Sequence, residues 1–153
     1  MGLADLIRIL NDVIKRGFPE LLGEDIRIEF TTLNDALLTF GKLSHEGFYI
    51  EVDESLRNAS AAVLKGGIAH ECSHIVFEKS KKDKTLSIDM FAYRLSSRYR
   101  ILDERNTDLE VILRGFGGEL LLFLQQSVML GLDHYREDGL SIREIEILIS
   151  KSH

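Results

Sequence analysis

At 153 residues, 44% hydrophobic and 29% charged, the chain has the size and make-up of one ordinary globular domain, which excludes a disordered or fibrous class. The formal net charge of −6 argues against a generic nucleic-acid binder, because neutralising phosphates needs a basic surface. The single cysteine, Cys72, excludes an intrachain disulfide.

Leu3, Leu6, Ile7, Leu10, Val13 and Ile14 recur at helical spacing and predict an amphipathic helix over about 2–16, ended by Gly17 and Pro19. Asp5, Arg8 and Asp12 interrupt its apolar residues, so residues 1–18 do not read as a signal peptide. The most apolar run, Leu120 to Leu132, is too short to span a bilayer and is broken by Gln125 and Gln126. A cytoplasmic location without a membrane partner is the expectation.

Three strands are expected next, at 25–30, 36–43 and 47–52. Ile26, Ile28 and Phe30 alternate with Arg27 and Glu29, the period of a strand covered on one face. Short breaks at Asn34-Asp35 and at 44–47 favour an antiparallel meander. From Asn58 to Ser80 the pattern turns helical, with Asn58 or Ser60 as the N-cap. The Lys-rich stretch 79–85 reads as a solvated loop. A second long helix is predicted over about 88–114 and broken by Gly115, Gly117 and Gly118. A third covers about 119–131. The last runs from about Ser141 to Ser150 and opens on a capping box, Ser141 with Glu144. Leu120 to Leu124 reads as core, with a hydrophobic strip for self-association into a homodimer or for covering the cleft as the alternative.

The helix from Asn58 carries His70-Glu71-Cys72-Ser73-His74. Residues four apart on a helix share one face, about 6 Å apart along the axis. Two imidazoles so placed can pinch one metal ion, and zinc takes nitrogen ligands at about 2.0–2.1 Å. Glu71 then reaches a zinc-activated water as general base. The residues around the motif are uncharged and suit a buried helix. Gly66, four before His70, would let a strand or another ligand helix approach closely; the alternative is a mere irregularity in the helix.

A catalytic site of this kind needs a third protein ligand. A histidine six beyond His74 is absent, since that place is Ser80, and Phe77 stands where a glycine would precede it. Glu78 shares the histidine face but lies too far along the helix. Glu104 and Asp108, four apart on the next helix, fit better. Glu104 offers a carboxylate ligand, and Asp108 an acceptor for the second N–H of a bound histidine. The alternative is two solvated acids on a charged helix.

His70-Glu71-Cys72-Ser73-His74 followed by Glu104-Arg105-Asn106-Thr107-Asp108 resembles the gluzincin clan of zinc peptidases, which includes thermolysin-like enzymes and membrane-bound CaaX-type proteases. The size and lack of spans look most like the archaeal minigluzincins. The resemblance covers roughly residues 47–114. It implies zinc (Zn2+) held by His70, His74 and Glu104, with Glu71 as general base and Asp108 supporting a histidine. It also implies a twisted sheet whose strand at 47–52 borders the cleft and pairs with an extended peptide.

The expected architecture is therefore α+β and zincin-like: one domain over 1–153, with a small, mostly antiparallel sheet packed on the zinc-binding helix and the glutamate helix. Residues 115–153 form a helical extension of that domain. The expected activity is hydrolysis of peptide bonds in peptides or unfolded proteins. The alternative is a latent or regulatory zinc-binding module whose C-terminal segment covers the cleft, with Asp133, His134 or Glu137 near the metal. His134, Tyr135 and Tyr93 have the chemistry to stabilise an oxyanion, though packing or solvation explains each more simply. Cys72 reads as core, and His45 and His153 as solvated. A deformylase-like activity pairs this motif with an upstream cysteine ligand, which the sequence lacks.

Overall fold

A computed structural model describes residues 1–43, 47–81, 92–132 and 138–151. Helix α1 (Leu3–Gly17) leads into strands β1 (Ile26–Thr31), β2 (Leu38–Lys42) and β3 (Phe48–Asp53). Helices α2 (Ala61–Ser80), α3 (Ser97–Val111), α4 (Gly117–Met129) and α5 (Ile142–Lys151) follow. The class is α+β, with a three-stranded sheet.

The sheet is mixed, which corrects the expected antiparallel meander. Its order is β1-β3-β2, with β1 parallel and β2 antiparallel to β3. The physical reason lies in β3, whose Phe48, Ile50 and Val52 are all buried on one face. A strand with so apolar a face gains most from the central place. The chain reaches β2 by passing the end of β3, where Asp53 pins it. The Asp53 carboxylate accepts from the Leu33 amide at 2.7 Å, and the Asp53 amide donates to the Leu37 carbonyl at 2.8 Å. Register then places Phe40 opposite Ile50 and Leu38 opposite Val52. Both β2 residues thus share the row of side chains that faces α2.

Helix α2 runs through the middle of the molecule. Ser60 caps it, its side chain accepting from the Val63 amide. Gly66 through Ser73 are consecutively buried, so the helix is covered on every side there. Leu38 of β2 and Phe123 of α4 lie against Gly67. At Gly66 a Cβ would run into the Glu119 backbone carbonyl. Glycine here allows backbone-on-backbone packing, and the element that approaches is α4 rather than a strand or the ligand helix.

The predicted helix over 88–114 is shorter and interrupted. A helical turn at 92–95 stops at Ser96, whose hydroxyl accepts from the Tyr99 amide and caps α3. Serine competes for local backbone groups and so favours a cap over a helix interior. Residues 82–91, which include the expected start at Ile88, lie outside the described residues. After α3 the backbone widens into a π-turn at Ile112–Phe116, where Gly115 takes φ 85°. Its left-handed conformation turns the chain into α4.

The C-terminal helices join the same core as α1 and the sheet. Leu120, Phe123, Leu124, Leu140 and Ile145 are buried with Leu6, Val13, Ile50 and Leu64. The Leu120–Leu124 run is thus mostly core, with Leu122 facing out. The capping box at α5 forms: the Glu144 carboxylate accepts from the Ser141 amide at 2.9 Å, and Ser141 Oγ from the Glu144 amide at 3.3 Å. Among the described residues, no helix is long and apolar enough to cross a membrane.

Candidate metal centre

Buried α2 presents His70 and His74 toward α3, and α3 presents Glu104 and Asp108 back. His70 Nδ1 lies 3.0 Å from Asp108 Oδ1. The other Asp108 oxygen accepts from the Leu140 amide at 2.8 Å. Asp108 is completely buried. A buried carboxylate acts as an acceptor, so the network assigns the Nδ1 proton to His70 as donor. The Nε2 lone pair then points the other way.

Nε2 of His70 stands 3.1 Å from His74 Nε2 and 3.2 Å from Glu104 Oε2. His74 Nε2 is 3.7 Å from Glu104 Oε1. A neutral imidazole and a carboxylate that face each other through lone pairs repel, unless a proton or a cation lies between them. Tetrahedral zinc with ligands at about 2.0–2.1 Å has ligand–ligand edges of roughly 3.3 Å. The three observed separations bracket that edge. These three residues are also the group of His, Cys, Asp and Glu side chains that could hold a metal among the described residues. Two imidazoles and one carboxylate suit zinc's preference for nitrogen and oxygen donors in a catalytic site.

The electrostatics agree with a carboxylate built to stay ionised. Burial raises the Glu104 pKa, but without a metal ion protonated His70 and His74 outweigh it by hydrogen bonds and charge and hold the group well below the usual carboxylate range. A cation between neutral imidazoles and the carboxylate acts in the same direction. Tyr93 donates its hydroxyl to Glu104 Oε1 at 2.7 Å. Burial, with the Glu104 charge beside it, pushes the Tyr93 phenol well above its ordinary value, so it remains a donor. Cys72 is fully buried, and desolvation pushes its thiol far up. It is a core residue, as expected.

The centre lies in a cleft of about 440 Å³ lined by residues 35–40, Glu71, Phe77, Tyr93 and Phe123, among others. Glu71 therefore shares the cleft with both histidines. The strand that borders it is β2, not the strand at 47–52. That expectation is corrected because β3 is central, between β1 and β2, and residues of β2 line the cleft while none of β3 does; among the described residues β2 is an edge strand. Phe40 of β2 stacks on His74, with centroids 5.4 Å apart and planes 9° apart.

Of the five residues picked from the sequence, His70, Glu71, His74 and Glu104 line this cleft, and Asp108 is buried beside it against His70. Three features were not foreseen. Tyr93 sits on Glu104, Phe40 orients His74, and Leu140 supplies an amide to Asp108. The alternation of Leu38 and Phe40 could have put Phe40 on the inward row, but nothing local ties it to His74. Glu78 lines the cleft without joining the donor group. Asp133, His134, Tyr135, Glu137, His45 and His153 lie outside the described residues. No family model matches the chain, and neither a curated protein nor a solved structure is significantly similar to it.

Proposed function

We propose that the chain is a zinc-dependent metallopeptidase of the gluzincin type, with a zincin-like arrangement of sheet, histidine helix and glutamate helix. The observation that carries this reading is the triangle of His70, His74 and Glu104 donor atoms, 3.1–3.7 Å apart, in a cleft that also holds Glu71. These three residues would hold zinc. When bound, zinc supplies Lewis-acid polarisation of a carbonyl and makes water acidic enough to lose a proton near neutral pH.

The chain's own groups do the rest. Glu71 accepts the proton from the attacking water and delivers it to the leaving amine. Asp108 fixes the His70 tautomer, so that Nε2 keeps its lone pair toward the cleft. Tyr93 donates its hydroxyl to Glu104 Oε1 and so holds that carboxylate in place. Strand β2, an edge strand among the described residues, offers backbone N–H and C=O groups to an extended peptide. Pairing of that kind reads backbone more than side chain and favours unfolded segments as substrate, here in a cytoplasmic setting.

The test is cleavage of a denatured, carboxymethylated protein by zinc-loaded enzyme. Glu71→Gln should lower the rate by about 10²–10⁴-fold while zinc stays bound. Equal rates in wild type and Glu71→Gln would reject the mechanism. A latent or regulatory form is the second reading. Leu132 and Asp138, on either side of residues 133–137, both line the cleft. Full zinc occupancy with no cleavage of any unfolded protein would favour that reading.

A further inference from the structure

We propose that the backbone amide of Leu140 is a positioning group for His70, acting through Asp108, and that the C-terminal helix is clasped to α3 to hold it there. The inference rests on the metal-site reading above and gives residues 138–151 a part in it.

Asp108 links the two. A carboxylate held by one hydrogen bond can pivot about its Cβ–Cγ bond. His70 binds one oxygen at 3.0 Å and Leu140 N–H the other at 2.8 Å. The second bond fixes the plane of the carboxylate, and that plane fixes the His70 ring. Turning the ring would swing Nε2 away from His74 and Glu104. Bonds to an ionised acceptor in a fully buried place are strong and directional.

Leu140 is itself held by a clasp along α3. Arg100 Nε bonds Asp138 Oδ2 at 2.8 Å. Arg105 grips both Glu144 oxygens at 2.7 and 3.2 Å and also reaches the Gly139 carbonyl. Glu144 in turn caps the start of α5 through Ser141. Behind the clasp, Ile145 is fully buried and Ile149 packs beside Gly117. The segment from Asp138 to Leu140 thus follows α3 from Arg100 toward Asp108. In the sequence, residues 115–153 read as a helical extension of the domain. The contacts make this stretch part of the support of a metal ligand. Reciprocity follows: docking of α5 strengthens zinc binding, and zinc strengthens docking.

The experiment measures zinc affinity of the full chain by competition with a chelator, together with the visible spectrum of the cobalt(II)-loaded protein. Partners that orient metal ligands typically matter by about 10–100-fold in affinity. Leu140→Pro removes the amide proton and should weaken zinc binding by that factor and shift the cobalt bands. Arg105→Gln loosens the clasp from outside and should weaken binding by roughly threefold to tenfold. Two controls separate positioning from general stability. Arg16→Gln removes an exposed pair with Glu119 and should leave zinc affinity unchanged. Ile145→Val loosens α5 without touching the clasp. At an equal loss of Tm it should weaken zinc binding less than Arg105→Gln does.

If Leu140→Pro fails to fold, Arg105→Gln against Ile145→Val decides. The proposal is overturned if Arg105→Gln binds zinc as tightly as Arg16→Gln, or if a folded Leu140→Pro keeps wild-type affinity and spectrum. Wild-type protein that takes up no zinc would reject the metal site itself, a result distinct from intact binding with indifferent variants.

Discussion

The two histidines of the centre are one helical turn apart, yet they are held by opposite kinds of surroundings. On the helical side, His70 is 5% exposed and bonds to the fully buried Asp108. On the strand side, the half-buried His74 lies flat against Phe40 of edge strand β2. A hydrogen bond to a buried carboxylate is directional and costly to break. A stacked ring pair contributes only about 0.5–1.5 kcal/mol beyond its buried area. The site is therefore rigid on its helical side and more yielding on its strand side.

Asp108→Ala should break the rigid side most severely. It leaves the Leu140 amide and His70 Nδ1 buried without their acceptor, at about 1–3 kcal/mol for each group. Zinc affinity should fall by about 10–100-fold. Urea unfolding of the apo protein and chelator competition measure the two effects separately. Gly66→Ala comes next. Its Cβ would press on the Glu119 carbonyl, and overpacking of that kind costs about 1–3 kcal/mol. An unchanged Tm would mean that α2 and α4 are less tightly apposed than described.

Phe40→Leu probes the yielding side. It keeps an apolar residue on β2 but removes the stack, so zinc affinity should fall by less than about tenfold. A loss equal to that of Asp108→Ala would erase the contrast between the two sides. The smallest effect concerns pH. Arg105, with help from Ser141, holds the Glu144 carboxyl at about 2. A group whose folded pKa is depressed stabilises the fold fully above its unfolded value, near 4.3. That contribution is lost as pH falls through about 2. The stability gap between wild type and Glu144→Gln should thus be constant from pH 7 to about pH 5 and vanish near pH 2, as followed by thermal unfolding.

The local features were legible in the sequence because local chemistry decides them. Ser60 caps α2, Ser141 and Glu144 cap α5, and the spacing of His70 with His74 and Glu104 with Asp108 puts each pair on one face. What was not legible depended on partners far along the chain. The central place of β3 follows from how completely its apolar face is buried, which turn lengths do not reveal. Ser96 looked like one polar residue within a long helix, but its hydroxyl found the Tyr99 amide and ended the turn at 92–95. Gly66 signalled a close approach, yet only the packed structure identifies α4 as the visitor. Leu140 acts through its backbone, and a backbone amide carries no signature in its residue type.

The central claim is that His70, His74 and Glu104 form one metal site. X-ray absorption at the zinc edge of the zinc-loaded chain tests it most directly. The account predicts one zinc per chain, nitrogen and oxygen neighbours at about 2.0–2.2 Å, and a weaker imidazole signature with lower zinc occupancy in His70→Ala. Absence of zinc uptake, or a sulfur neighbour at about 2.3 Å from Cys72, would contradict it.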